Sequence, residues 1–146
     1  MGITRFAEAT WIGDLVNGSG SINYVSSGAF TRLPVTWASR TEEHNGRTSP
    51  EELIASAHAA CFSMALSSRL AKNGTPAAKL DVKAVVTFDK GEAGWKIARS
   101  DLTVRGTVPG IDAARFAELA DDAKNGCPVS VALKGNVEIS VDAALA

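Results

Sequence analysis

Two cysteines and two histidines are the side chains of this sequence best suited to covalent or acid–base chemistry. Cys61 stands in the run Ala55-Ser56-Ala57-His58-Ala59-Ala60-Cys61-Phe62-Ser63-Met64-Ala65-Leu66, which is small and apolar on almost every side. A free cysteine in such surroundings is either a plain core residue or a reactive thiol. Burial alone raises a thiol's pKa and makes it inert, so a reactive Cys61 requires a cation beside it. His58 lies one helical turn earlier. It is either a packed polar residue or the base for a cysteine nucleophile. Cys127 follows Gly126 and precedes Pro128, where a helix start is expected. Unpaired amides and the positive dipole end favour a thiolate there; the alternative is a turn cysteine without a role. His44 falls in the polar loop 41–49. All four residues together make a zinc site only arithmetically, because no CxxC or HxxxH pair exists. The sequence also lacks a glycine-rich phosphate loop, a nucleophile elbow, a carboxylate metal loop and a basic-aromatic patch.

These side chains depend on a small set of elements. Ser49, Pro50 and Glu52 read as an N-cap, a first-turn proline and the third position of a capping box. A helix is predicted from Pro50 to about Lys72, closed by a left-handed Asn73-Gly74 cap with Pro76 beyond it. Its apolar character all round predicts a buried, central helix, and its small residues permit close approach by another element or subunit. Before it, turn signals at Asn17-Gly18-Ser19-Gly20 and Ser27-Gly28 separate two or three antiparallel strands, one of them carrying Val35-Thr36-Trp37. Arg40 falls at that strand's end. After the helix, Leu80 to Phe88 alternate apolar and polar, as in a half-buried strand. A second strand starts at Trp95, and its phase slip near Ser100 predicts a bulge. Asp112 caps a second helix that ends at Gly126; Cys127-Pro128 opens a helical turn to about Lys134; Val137 to Asp142 form a last strand. Strands and helices come in blocks, so the fold class is α+β, antiparallel sheets packed on a long helix, in one domain over 1–146.

Composition narrows the function classes. The 146 residues carry 15 Lys and Arg against 16 Asp and Glu, a net charge of −1 that argues for neither nucleic acid nor an anionic membrane surface. The N-terminus has no signal-peptide pattern, and no apolar run approaches the roughly 20 residues that span a bilayer. A cytoplasmic, reducing location is expected, and there two cysteines are more readily redox, catalytic or core residues than a permanent bridge. A chain of this length needs no disulfide or metal staple.

The run from Ser49 to Leu66 strongly resembles the signature helix of the OsmC/Ohr family of peroxide reductases. Val108-Pro109-Gly110-Ile111-Asp112 and Asn125-Gly126-Cys127-Pro128-Val129-Ser130 resemble the family's second region. The resemblance extends over essentially the whole chain and is nearer the OsmC branch. It implies an intertwined α+β homodimer with active sites at the subunit interface, and reduction of organic hydroperoxides more than hydrogen peroxide. By resemblance, Cys61 is the peroxidatic cysteine and Cys127 the resolving one. Arg40 would activate the thiolate and Glu51 would orient the arginine. No metal or cofactor is implied; electrons would come from an external dithiol such as a lipoylated protein. Glu51 and Cys61 stand ten residues apart, roughly 15 Å of rise on a straight helix. So the helix bends or ends between them, or Glu51 serves the Cys61 of the other chain. Two other readings are a cysteine hydrolase using Cys61 and His58, and a non-catalytic binding protein on the same fold.

Overall fold

The computed structural model describes all 146 residues, which divide into two compact units, Met1–Leu53 and Ile54–Ala146. In the first unit, turns at the predicted glycines fold the chain into three antiparallel strands, β1 (Ala7–Ile12), β2 (Ser19–Val25) and β3 (Thr31–Val35), in that order. The third strand stops at Val35, short of the predicted Trp37, because Thr36 caps a short helix, α1 (Trp37–Thr41). The Thr36 hydroxyl accepts the Ser39 amide at 3.1 Å, and the Ser39 hydroxyl accepts the Thr36 amide at 3.0 Å. Arg40 therefore sits on a helix and not at a strand end. The polar loop then doubles back. The Thr48 amide donates to the Pro34 carbonyl at 3.0 Å, and the Ser39 hydroxyl donates to the Thr48 carbonyl at 2.9 Å. These bonds bring the start of the long helix, α2 (Pro50–Lys72), beside α1.

Both ends of α2 are written locally. The Ser49 hydroxyl accepts the Glu52 amide at 3.1 Å, and the Thr48 hydroxyl donates to the Glu52 carboxylate at 2.9 Å. At the other end the Thr75 amide bonds the Leu70 carbonyl and the Gly74 amide bonds the Ala71 carbonyl. Gly74, at φ +79°, supplies the left-handed turn that this Schellman closure requires.

In the second unit, β4 (Lys79–Gly91) and β5 (Gly94–Thr107) form a long antiparallel hairpin. Its register slips where Thr87 faces Arg99 and Phe88 faces Ile97, leaving Ala98 unpaired. The bulge thus lies two residues before the Ser100 suggested by the phase slip. Helices α3 (Ala113–Gly126) and α4 (Pro128–Leu133) follow, then β6 (Glu138–Leu145). Asp112 caps α3, accepting the Arg115 amide at 2.8 Å. Strand β6 pairs with β5 in parallel, so this sheet is mixed where wholly antiparallel sheets were expected. The two intervening helices provide the crossover that parallel neighbours need.

Phe62, Leu66 and Leu70 of α2 line one helix face and are buried with Leu102 and Val104 of β5 and Phe116, Leu119, Ala120 and Ala123 of α3. The opposite face, Ala57, Ala60, Met64, Ser67 and Ala71, is exposed in the single chain, Met64 by 67%. The helix expected to be buried all round is therefore covered on one side only.

Candidate active site

Helices α2 and α4, joined by the His58–Ser130 contact, carry the two thiols. Cys61 is half-buried in α2, and Cys127, fully buried, is the N-cap of α4; both are free. The thiols interact directly, each entering the other's titration. Burial raises the pKa of Cys61 above its usual 9.0, against a smaller opposite pull from the Val129 amide. Burial also acts to raise Cys127. The Ser130 amide, the Cys61 thiol, the Ser130 hydroxyl and the Val129 amide outweigh it and hold Cys127 below the usual thiol value. None of these is a side-chain capping bond. Within one chain the surroundings favour a thiolate at Cys127 over one at Cys61. Gly126 adds a further condition: a Cβ there would collide with the Arg69 guanidinium, so glycine lets that cation pack against the residue before Cys127.

His58 is fully buried, and both ring nitrogens are occupied. Nδ1 lies 2.6 Å from the Ser100 hydroxyl of β5, and Nε2 lies 2.8 Å from the Ser130 hydroxyl of α4. Burial lowers its pKa below the ordinary 6.5, which favours the neutral ring. With both nitrogens engaged by serines, His58 has no lone pair to offer Cys61. The hydrolase reading loses its base. Neither serine was singled out from the sequence; the available signal was that Ser130 falls three residues after a helix-capping cysteine, where an N-cap side chain and its helix meet.

In the first unit, Arg40 and Glu51 form a two-toothed ion pair. Nη2 lies 2.6 Å from Oε1 and Nε lies 3.2 Å from Oε2. The Glu51 carboxylate is buried while the guanidinium stays partly exposed, and Arg40 also stands over the Trp37 ring at 5.6 Å. Arg40 edges a cavity of about 290 Å³ lined by Trp11, Leu15, Val35, Trp37 and Pro50. A cation at the rim of an apolar hollow suits a ligand with a carbon body and a polar, electron-rich end. The structure thus joins Cys61 to Cys127 and Arg40 to Glu51. Helix α2 runs unbroken from Pro50 to Lys72, so the axial rise of roughly 15 Å from Glu51 to Cys61 is not shortened by a break. No group of three or more His, Cys, Asp or Glu side chains is arranged to hold a metal ion.

Residues 43–142 match the model of the OsmC-like protein family. The chain is 43% identical to the peroxiredoxin OsmC of Escherichia coli K12 over 139 residues, which span 95% of this chain and 96% of that one. It is 33% identical to the organic hydroperoxide resistance protein OhrA of Bacillus subtilis over 107 residues, 72% of this chain and 73% of that one. Its fold resembles the crystal structure of OhrB of B. subtilis, with a TM-score of 0.73, 25% identity and coverage of 94% and 97% of the two chains. An organic hydroperoxide resistance protein of Elizabethkingia anophelis gives a TM-score of 0.75 at 23% identity with both chains fully covered. A free cysteine pair on these two helices, with a match running across both units, has one explanation: the chain belongs to the OsmC family.

Proposed function

We propose that the protein reduces organic hydroperoxides to alcohols, as a homodimer, through Cys61 and Cys127. The observation that carries this reading is the direct interaction of two free thiols in a chain 43% identical to a peroxiredoxin. The Cys61 thiolate attacks one peroxide oxygen, and the O–O bond breaks. The departing alkoxide takes a proton to become the alcohol, and Cys61 is left as a sulfenic acid. Cys127 then condenses with it to give a disulfide and water. An external dithiol, such as the lipoyl group of a lipoylated protein, returns both thiols.

Cys61 cannot hold its charge unaided, since its own surroundings raise its pKa. Arg40, its fork fixed by Glu51, is the activating cation in this reading and steadies charge on the leaving oxygen. The unbroken α2 separates Glu51 from Cys61 of the same chain, so we assign the pair to the Cys61 of a second copy. The exposed stripe of Ala57, Ala60, Met64 and Ala71 supports this, because small residues let another chain approach closely. The apolar cavity beside Arg40 would receive the organic part of the substrate and favour it over hydrogen peroxide. No helix is long and apolar enough to cross a membrane. Two unpaired cysteines suit the cytoplasm, where thiols stay reduced.

The test is steady consumption of tert-butyl hydroperoxide in the presence of a small dithiol. Cys61→Ser abolishes it. Cys127→Ser consumes one equivalent and then slows. Turnover that survives Cys61→Ser would overturn the reading, as would a Cys127→Ser variant cycling at the wild-type rate.

A further inference from the structure

Among the half-buried arginines of this chain, Arg40 holds Glu51, Arg99 holds Asp101 and Glu138, and Arg105 holds Asp142. Arg69 is half-buried too, yet no carboxylate stands within ion-pair distance of it. Drawing a guanidinium partway out of water carries a free-energy cost that an ion pair normally offsets. Arg69 makes one hydrogen bond, from Nη1 to the Ala65 carbonyl at 3.2 Å, an oxygen that the helix already uses. The rest of its donor fork is open.

The place of that open fork gives it meaning. Cys61, Ala65 and Arg69 follow one another at four-residue intervals, so they share one edge of α2, apart from the exposed stripe of Ala57, Ala60, Met64 and Ala71. The guanidinium turns back along this edge to Ala65, one turn beyond Cys61. It also lies against Gly126, the residue before Cys127: a Cβ there would collide with Nη2 and stand 3.4 Å from Cζ. An arginine whose stem merely packs on a helix turns its head outward to water. This head is folded between the turn after one thiol and the residue before the other.

From this placement we infer that Arg69 anchors a carboxylate on the dithiol that reopens the Cys61–Cys127 bridge. The inference rests on the proposed peroxidase cycle and names the reductant's class: a small dithiol acid with its carboxylate at the end of a short alkyl chain. The hydroperoxide fits less well, because Cys127 enters the cycle only after the alcohol has formed. Arg69 stands eight residues from Cys61, roughly 12 Å of rise, and its side chain reaches back over part of that span. The alkyl chain covers the remainder. One thiolate of the reductant attacks the Cys61 sulfur, which is half-buried where Cys127 is wholly so. An S–S bond forms between reductant and Cys61, and the Cys61–Cys127 bond breaks with its electron pair on Cys127. The second thiolate attacks the reductant's own bound sulfur and releases Cys61 as thiolate. The reductant leaves as a cyclic disulfide, oxidised by two electrons, and its two protons return both cysteines to thiols. Arg69 enters none of these bonds; it holds the carboxylate so that the attacking sulfur stays near Cys61.

The experiment compares dihydrolipoic acid with dihydrolipoamide, which replaces the carboxylate by a neutral amide, in the reduction of tert-butyl hydroperoxide. The readout is the ratio of kcat/KM for the two dithiols. The wild type is expected to favour the acid about tenfold, as one charge-assisted pair would give. Arg69→Gln brings the ratio to about one. Gly126→Ala keeps the charge but pushes the guanidinium from its place, and lowers the ratio to about threefold or less. A wild-type ratio of one would overturn the inference. So would a ratio unchanged in Arg69→Gln or in Gly126→Ala, even with both rates lowered, since that pattern marks a packing role. A wild-type protein that consumes no hydroperoxide with either dithiol would sink the underlying reading and the anchor together. Consumption with both dithiols at equal efficiency sinks the anchor alone.

Discussion

Arg40 grips Glu51 with two edges of its guanidinium, and a point charge cannot copy that grip. Arg40→Lys keeps the cation but loses the fork, so kcat/KM for tert-butyl hydroperoxide is expected to fall about 100-fold in steady-state assays. An unchanged value would remove Arg40 from the chemistry. His58 leaves a signature in stability. Its folded pKa lies below the ordinary 6.5, so the unfolded chain takes up a proton first on acidification. This stability is full above pH 6.5 and is lost as pH falls through the folded pKa, at up to about 1.4 kcal/mol per pH unit. Denaturant titrations between pH 7 and 5 are expected to show that slope in the wild type and a flatter one in His58→Gln. At this scale the sequence was informative about what stood out chemically. Cys61 and Cys127 were legible as the only cysteines, one in an apolar run and one at a helix start. The roles of Ser100 and Ser130 were not, since serine is common and their meeting with His58 depends on β5, α2 and α4 converging.

Helix α2 was legible from end to end because its stop signals lie within a few residues of its ends. Ser49→Ala removes the hydroxyl that accepts the Glu52 amide and is expected to lower unfolding free energy by about 1 kcal/mol. Gly106 of β5 is held differently: a Cβ there would come within 2.7 Å of the buried Phe116 ring of α3. Gly106→Ala forces that ring aside and is expected to cost about 1–3 kcal/mol, read as a lower denaturant midpoint. Two elements escaped the sequence reading. Helix α1 replaced the end of a strand because a Thr36–Ser39 capping exchange outweighed the β-forming look of Val35-Thr36-Trp37. The parallel direction of β6 was hidden because alternation reveals a strand's faces but not its direction; the α3–α4 crossover decides that.

At the scale of the whole molecule, the uncovered face of α2 is the feature that a second chain would complete. Met64→Glu places a charge in the middle of that stripe. It is expected to shift the mass seen by sedimentation toward the monomer and to lower peroxidase activity with it; a dimer unmoved by this change would put the interface elsewhere. The first sheet sharpens the same point. Every residue of β1 is exposed in the single chain, including Trp11 and Ile12, and no residue of the three strands is fully buried. A sheet with so little interior of its own draws its stability from whatever comes to cover it. If that cover is another copy, the melting temperature rises with protein concentration. Dilution alone then acts as a denaturant, and the amount of protein in the cell sets how much of it is folded as well as how much peroxide it can remove.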